Sequence, residues 1–316
     1  MLRAVHRQSA ALRAGIFSTA LFAACLLTGC TFQTNSAGRL IEVWGRRGLS
    51  DGRLQKPRAF AIDPQDRLYI VDMTARIQVF DPRGHFQRGW QTPASVNGRP
   101  TGLSVGNDGN LLVADTHYYR VLVYSPEGKL LRTLGGTRGP GPGEFGLVTD
   151  VVQDRENNYY VSEYGEYDRI QKFSADGHFL LQWGGHGEEP GKFLRPQNMD
   201  IDEQDRIWVA DACNHRIQVF DTSGKLLFYW GREGSQPGEM YYPYDVELDD
   251  EGHVYVCEYG NHRVQKFTRD GKSLGSWGHV GNQPGELFNP WAILHDSRGR
   301  LLVLDTNNHR VQVVKM

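Results

Sequence analysis

The chain has 316 residues, and 37 of them are glycine, which is about 12% against an ordinary level of about 7%. With aromatic residues at 11%, this composition argues against a long-helix protein, a coiled coil or a disordered chain. The net charge of −2 does not suggest a chain that coats nucleic acid.

The first thirty residues predict an export signal. Residues 1–13 carry three arginines and no acid, and residues 14–26 form an apolar stretch shorter than the roughly 20 residues of a membrane span. The tetrapeptide LTGC at residues 27–30 then resembles the lipobox of bacterial lipoproteins. The resemblance implies cleavage before Cys30, a lipid anchor on Cys30 and, because Thr31 follows, the outer membrane of a bacterial cell envelope. The alternative is an ordinary signal sequence in which this tetrapeptide occurs by chance.

The rest of the chain repeats one unit six times. The aligned segments are 67–80, 110–124, 158–173, 206–220, 253–267 and 300–314. Their apolar, β-branched runs recur with a period near 47 and predict short strands rather than helices. Each repeat divides into four strands, so we expect an all-β, six-bladed β-propeller built from four-stranded antiparallel blades.

The two ends of the repeat region predict how the ring closes. The last repeat stops at Met316 before a fourth strand, whereas residues 39–44 form a strand that belongs to no complete repeat. We expect this strand to complete the C-terminal blade and so to remove an open sheet edge. The predicted domains are therefore a signal peptide at 1–29, a short tether at 30–37 and one propeller at 38–316.

Several residue types recur in every repeat and are interpreted as structural. Six glycines occupy equivalent turns before the fourth strand, where a positive φ is needed. An acidic residue precedes an arginine by four to six positions in every repeat. These pairs are predicted to clamp the loop between the second and third strands, because a catalytic site would not recur six times around a ring. The pairs are Asp72/Arg76, Asp115/Arg120, Glu163/Arg169, Asp211/Arg216, Glu258/Arg263 and Asp305/Arg310.

The Asn-His-Arg segments at 214–216, 261–263 and 308–310 resemble NHL repeats, as do the Pro-Gly loops between repeats. Propellers of this family serve as protein- or RNA-binding platforms, and one relative, an amidating lyase, is a metal-dependent enzyme. Because the six repeats are nearly uniform and bring no catalytic set together, we expect a non-enzymatic binding scaffold acting through its loop face. The alternative is a metal-dependent lyase or hydrolase, amidating-lyase-like or lactonase-like, with its site at the mouth of the central channel. Fold alone does not choose between them.

One candidate site lies at the channel mouth. Asp150, Asn198 and Asp245 fall at one level of three consecutive blades, and their oxygens could hold Ca²⁺. The alternative is a solvated polar lining. A zinc site needs converging histidines, and none of the predicted mouth positions is histidine. The histidines of the repeated turns are predicted to be structural, because symmetry spreads them around the rim; they are His215, His262 and His309, with His117 nearby.

A second candidate is a recognition surface on the loop face, because tyrosine, tryptophan and arginine dominate binding hot spots. Its residues are Arg58, Tyr164, Tyr244, Tyr259 and Trp291. The alternative is that some of these rings pack between blades. The expected partner is a protein, peptide or glycan of the envelope, bound by a monomeric propeller. Nucleic acid is not expected, because the exported chain is acidic.

Two cysteines, Cys213 and Cys257, remain outside the signal region. They lie in different repeats and do not form a disulfide framework. We interpret them as two free buried thiols, with a single bridge as the alternative in an oxidising compartment.

Overall fold

The computed structural model of the chain describes residues 37–316. The regular secondary structure of this part is β-strand, apart from three single-turn 3₁₀ helices at Thr116–Tyr118, Ala212–Asn214 and Thr306–Asn308. The predicted signal peptide, the lipid-bearing Cys30 and most of the tether lie outside the described residues. Within residues 37–316, no helix combines the length and the hydropathy that a membrane span requires.

Twenty-four strands form six four-stranded antiparallel sheets. In chain order they are β1 Arg39–Trp44, β2 Pro57–Ile62, β3 Leu68–Asp72, β4 Arg76–Phe80, β5 Phe86–Gln91, β6 Gly102–Val105, β7 Leu111–Asp115, β8 Arg120–Tyr124, β9 Leu130–Gly135, β10 Leu147–Gln153, β11 Tyr159–Tyr164, β12 Arg169–Phe173, β13 Phe179–Gly184, β14 Pro196–Ile201, β15 Ile207–Asp211, β16 Arg216–Phe220, β17 Leu226–Trp230, β18 Pro243–Leu248, β19 His253–Glu258, β20 Arg263–Thr268, β21 Ser273–Trp277, β22 Ala292–His295, β23 Leu301–Asp305 and β24 Arg310–Lys315.

Blades 1 to 5 each consist of four consecutive strands, starting at β2, β6, β10, β14 and β18. Blade 6 has the order β1-β24-β23-β22. Strand β1 pairs antiparallel with β24, from Arg39 opposite Lys315 to Trp44 opposite Val311. The predicted all-β six-bladed propeller and its closure by the N-terminal strand are therefore confirmed.

The hydrophobic core lies between neighbouring blades. One cluster, for example, joins Phe60 and Ile70 of blade 1 to Leu302 and Val313 of blade 6, all at most 5% exposed. Each fully buried side chain of this size stabilises the fold by about 1.5–3 kcal/mol. The contact between blades 1 and 6 brings together residues from opposite ends of the chain, so the ring depends on its closure.

The glycine turns contribute to this packing. Gly84 has φ +77°, which favours glycine in the tight turn before β5. A Cβ added to Gly84 would lie 2.5 Å from Cδ2 of Trp44, on the outer strand of blade 6. Gly224 stands in the same relation to Trp183. Glycine is thus required twice, for the turn and for the tryptophan of the preceding blade; the sequence interpretation included only the turn.

The six acid–arginine pairs form in every blade, with N–O distances of 2.6–2.9 Å. In blade 4, Nε of Arg216 donates to Asp211, while its Nη atoms donate to the carbonyls of Glu188 and Glu189. Those carbonyls belong to the loop that enters the blade. Asn214, in the turn between the second and third strands, also donates to Asp211. The pairs therefore anchor the loop between blades as well as the loop that the sequence predicted.

Blade 2 departs from this pattern. The loops entering the other five blades form a short parallel bridge, and each is held by a glutamine of the third strand. Blade 2 has Leu122 at the glutamine position, and residues 92–99 replace the Pro-Gly loop. In consequence, Oδ1 of Asp115 and Nη2 of Arg120 are buried without a hydrogen-bond partner among the described residues. The repeat is thus broken where the chain enters blade 2.

The repeated histidines are structural, as predicted. Nδ1 of His215 accepts a hydrogen bond from the backbone N–H of Tyr242 at 3.1 Å. His262 and His309 make the same contact with the loops entering blades 6 and 1. Burial lowers the pKa of all three imidazoles, which favours the neutral form that can accept. His117 differs, because Tyr119 holds the equivalent left-handed position in blade 2.

The two cysteines of the propeller, Cys213 and Cys257, are free thiols in the structure. Cys257 is fully buried, and burial raises its pKa well above the ordinary range. Cys213 is partly exposed, so the prediction of two buried thiols is wrong for this residue; partial burial still raises its pKa. Neither environment activates a thiolate.

Candidate functional site at the channel mouth

The mouth of the channel is formed where the inner strands of the ring begin. Arg58 and Tyr244 are the second residues of β2 and β18, and Trp291 immediately precedes β22. Tyr164 ends β11, and Tyr259 directly follows β19. These five residues come from blades 1, 3, 5 and 6, and in each blade they lie at the same end of the sheet.

The five predicted surface residues are brought together. The rings of Tyr244 and Tyr259 stack at 4.4 Å, and the ring of Trp291 stands edge-on to both at 5.0 and 5.8 Å. Cζ of Arg58 lies 5.3 Å from the ring of Trp291. Tyr164 joins the cluster through Arg195, whose Cζ lies 5.1 Å from Tyr164 and 5.8 Å from Tyr244. We call this set, including Arg195, the mouth cluster.

Arg58 is the electrostatically unusual member of the mouth cluster. Within residues 37–316, its side chain makes no salt bridge and no hydrogen bond, whereas each of the six arginines that recur in every blade is paired with an acid. Burial lowers the pKa of Arg58, and the hydroxyl of Tyr164 acts in the opposite direction. An arginine stays charged even so, which leaves a partly desolvated cation facing aromatic rings.

Arg195 was missed by the sequence interpretation. It precedes Pro196 and has φ +57°, and its backbone N–H donates to Asp168 at 3.3 Å. Its Nε atom is buried without a hydrogen-bond partner among the described residues. Its position in the sequence could have identified it, because it directly precedes the proline that begins the first strand of blade 4. That strand begins at the same end of the ring as the predicted residues.

A cleft of about 190 Å³ adjoins the mouth cluster and shares Tyr164 with it. It lies between blades 2 and 3. Arg138 and Glu166 form an exposed ion pair of 2.9 Å at this cleft. The other lining residues are Tyr119, Gly146, Leu147, Gly165 and Tyr167. The cleft therefore extends the aromatic surface outward from the mouth.

The predicted oxygen ligands lie together, but in a different place. Asp150, Asn198 and Asp245 line a cavity of about 240 Å³ in the channel, together with Asp200 and Glu247. No member of the mouth cluster lines this cavity. The structure thus separates the two candidate sites that the sequence analysis had placed at one mouth. Asp200 and Glu247 lie two residues beyond Asn198 and Asp245, so the period of a strand could have found them.

The channel carboxylates link neighbouring inner strands. Oδ2 of Asp150 accepts from the N–H of Met199 at 2.9 Å, and Oδ2 of Asp245 accepts from that of Ile293 at 2.7 Å. Asp200 makes the corresponding bond to the next blade, with Leu248 at 2.8 Å. These bonds bridge strands that belong to different sheets, so the carboxylates stabilise the inside of the ring.

Burial dominates the electrostatics of this cavity. It raises the pKa of Asp150 to about 7, and the pKa values of Asp200 and Asp245 lie well above the ordinary range. The nearby charge of Glu247 adds to the shift in all three. Oδ1 of Asp150 is buried without a hydrogen-bond partner among the described residues. Burial therefore favours the protonated form of these three carboxyl groups.

The donor sets fit metals poorly. Within residues 37–316, the one group of three close metal-ligating side chains is Asp249, Glu251 and His253. Asp249 already accepts the backbone N–H groups of the other two, so this group is a hydrogen-bonded turn between β18 and β19. In the channel, the carboxylates that could bind Ca²⁺ also accept backbone hydrogen bonds. The mouth cluster contains no histidine, which does not match a histidine-bound zinc.

The NHL repeat model of protein families matches residues 97–124, 193–220, 240–267 and 289–314. Four segments of this chain are therefore similar to NHL repeats. They account for most of blades 2, 4, 5 and 6, and the remaining blades have the same four-stranded form without a matched repeat.

Two curated relatives share part of this region. Rat peptidylglycine alpha-amidating monooxygenase is 37% identical over 128 residues, which cover 37% of this chain and 13% of that protein. Mouse NHL repeat-containing protein 3 is 28% identical over 175 residues, covering 49% of each. The chain thus spans half or less of the length of these relatives.

Solved structures share the fold. A streptogramin B lyase has a TM-score of 0.64 at 14% identity, covering 88% of this chain and 97% of that one. A Bacteroides thetaiotaomicron protein of unknown function has a TM-score of 0.66 at 14% identity, covering 88% and 76%. Identities at this level establish the propeller architecture alone.

Proposed function

We propose that this NHL-repeat propeller is an exported, lipid-anchored and non-enzymatic binding protein, which engages a protein, peptide or glycan of the bacterial cell envelope through its loop face. The observation that carries the proposal is the mouth cluster, in which Arg58 has no acidic partner among residues 37–316. Its guanidinium lies 5.3 Å from the ring of Trp291, which in turn contacts the rings of Tyr244 and Tyr259. The repeated polar residues hold the ring, whereas these residues differ from blade to blade.

The mouth cluster has the chemistry of a binding hot spot. Tyrosine, tryptophan and arginine contribute most to protein interfaces, because they bury large rigid surfaces and retain a polar group. These residues lie at or directly beside the ends of first and second strands, which hold their backbone in place, so little conformational entropy is lost on binding. The six-bladed ring thus acts as a rigid support for a site made from five different blades.

Site-specific photocrosslinking in the native envelope tests the binding role. A crosslinker at Tyr164 should trap a partner, whereas one at Glu203, in a turn at the opposite end of blade 4, should not. The variant Tyr259→Ala should weaken the Tyr164 crosslink by removing a ring of the mouth cluster. Equal crosslinking from both positions, or none from Tyr164, would contradict the proposal.

The anchor is tested separately. Replacing Cys30 with serine removes the thiol that would carry the lipid, so Cys30→Ser should move the protein from the membrane fraction to the soluble fraction. We expect the wild type to fractionate with the outer membrane. Unchanged partition of the variant would refute the lipoprotein assignment and leave the binding role intact.

The second candidate is a metal-dependent lyase or hydrolase with its metal in the channel at Asp150, Asn198 and Asp245. Two observations favour it: rat peptidylglycine alpha-amidating monooxygenase is 37% identical to this chain over 128 residues, and Asp150, Asn198 and Asp245 line one cavity of the channel. Ca²⁺ suits such oxygen ligands. Elemental analysis should then find a stoichiometric metal, and a chelator should lower the melting temperature. Substoichiometric metal with unchanged melting would eliminate this candidate.

A further inference from the structure

The guanidinium of Arg58 lacks a counter-charge. Among residues 37–316, no carboxylate lies within ion-pair distance of it, and its Cζ lies 5.3 Å from the centre of the Trp291 ring. Charged groups that are taken out of water in proteins are normally paired or bound to a ligand. The rings of Tyr244, Tyr259 and Trp291 exclude water on one side without supplying a full negative charge. Arg58 is therefore arranged to meet an anion from outside the chain.

A second cation lies across the same cluster. Arg195 contacts the rings of Tyr164 and Tyr244, and its side chain also makes no hydrogen bond or salt bridge within the described part of the chain. Arg99, which lies on the side of blade 2, is already occupied, because its guanidinium donates to backbone carbonyls that include Met73. Two unpaired guanidiniums thus flank the tyrosines of one mouth.

We propose that the mouth binds the C-terminal carboxylate of a peptide, with Arg58 as the principal donor and Arg195 as a second cation. This rests on the binding role proposed above and names the ligand. A guanidinium presents two parallel N–H donors that match the two oxygens of a carboxylate. The aromatic rings then contact the side chain of the terminal residue, and the carboxylate replaces the water that the rings exclude.

The adjoining cleft favours a peptide over a sugar acid. It begins at Tyr164 and continues along Leu147 and Tyr167, so the next side chains of an extended peptide can lie in it. The ion pair of Arg138 and Glu166 lies at the same cleft and offers both a donor and an acceptor to the peptide backbone. A cationic mouth that continues into a cleft therefore matches the terminal carboxylate of a peptide and the residues that precede it.

Calorimetric titration of the purified full chain with small probes tests the proposal. N-acetylphenylalanine carries the carboxylate and an aromatic side chain, its amide removes only the negative charge, and glucuronic acid supplies a carboxylate on a sugar. We expect the free acid to bind at least about tenfold more tightly than the amide, because hydrogen bonds to charged groups are the stronger ones. We expect glucuronic acid to bind more weakly than the free acid.

Variants assign the effect to the mouth. Arg58→Met should abolish the preference for the free acid, Arg58→Lys should keep part of it, and Arg195→Met should reduce it. Arg298→Met, at an exposed turn between β22 and β23, is the matched control and should leave binding unchanged. Melting curves of each variant verify that it is folded.

Three results would overturn the proposal: equal binding of acid and amide, binding that Arg58→Met does not change, or no binding up to about 10 mM. Tighter binding of glucuronic acid would overturn the peptide as the ligand. Failure of the carboxylate proposal can be distinguished from failure of the binding role. If a partner is crosslinked at Tyr164 and Arg58→Met does not change that crosslink, the binding role holds and the carboxylate proposal fails.

Discussion

Two sets of arginines in this propeller have opposite environments. Around the ring, six arginines occur at equivalent positions, and each lies 2.6–2.9 Å from a fully buried carboxylate. At the channel mouth, Arg58 and Arg195 lie against aromatic rings without an acidic partner in residues 37–316. Both sets are withdrawn from water to some degree, but only the ring arginines have their charge compensated by the fold.

The difference separates structure from recognition. A residue that recurs in every blade with its partner stabilises a contact that every blade needs. A charged residue that occurs once, without a partner, contributes little to folding, because its desolvation is not repaid within the chain. The blade-to-blade comparison therefore indicates which charged groups are available to a ligand.

The largest effect on stability is expected from breaking one of the six repeated acid–arginine pairs. Arg216→Met would leave Asp211 buried without its cation and free three loop carbonyls that Arg216 now binds. We expect a loss of about 3–5 kcal/mol in the free energy of unfolding, measured in urea. Burial already raises the pKa of Asp211 to about 6, so the loss should be larger at pH 8 than at pH 5. The control Arg298→Met should change stability by less than about 0.5 kcal/mol.

A smaller loss is expected at a repeated histidine. His262→Leu would leave the backbone N–H of Asn289 without an acceptor, at a cost of about 1–3 kcal/mol. His262→Asn should recover part of this, because asparagine tolerates φ +54° and retains an acceptor.

The same histidine gives a pH dependence. Burial lowers the pKa of folded His262 below its unfolded value of 6.5, so its contribution is complete above pH 6.5 and is lost as the pH falls below that value. The leucine variant should therefore lose less stability than the wild type between pH 7 and pH 5, each compared with its own value at pH 7. A parallel pH dependence in both proteins would contradict the neutral-acceptor assignment.

The buried carboxyl groups of the channel give a pH dependence of stability opposite to that of His262. Burial raises the pKa of folded Asp150 to about 7 from 3.8, so the folded state favours the protonated form, and ionisation destabilises it as the pH rises through 7. Asp150→Asn keeps an oxygen for the N–H of Met199 but cannot ionise. Relative to the wild type, the variant should gain at least about 1 kcal/mol between pH 5 and pH 8, the free energy of one pKa unit. If the melting temperatures of the variant and the wild type differed by the same amount at pH 5 and at pH 8, this prediction would be refuted.

Most of the fold could be predicted from the sequence, because every blade repeats the same pattern of strands and turns. The period, the strand pattern and the unpaired strand at residues 39–44 define the blade number and the closure. The five predicted mouth residues also lie together, since equivalent strand ends meet at one end of a ring. What they contact could not be predicted: Arg58 meets Trp291 only because blade 6 closes on blade 1.

Other features could not be predicted, because they are contacts between neighbouring blades and the sequence of one repeat does not show how two blades pack. Arg195 contacts Tyr244 from the neighbouring blade, and Gly84 packs on Trp44 of the preceding one. The carboxylates of Asp150 and Asp245 were interpreted as ligands at the mouth, whereas the structure places them in the channel with Asp200. Their hydrogen bonds to adjacent inner strands depend on the gap between sheets, which only the assembled ring determines.

The most direct test of the central claim is the change in the free energy of unfolding caused by Arg58→Met, measured beside Arg216→Met under the same conditions. If the mouth arginine serves a ligand rather than the fold, Arg58→Met should leave stability within about 0.5 kcal/mol of the wild type or raise it, because an uncompensated cation is replaced by an apolar chain. A loss of about 3 kcal/mol or more, as expected for Arg216→Met, would show that Arg58 holds the ring and would contradict the account.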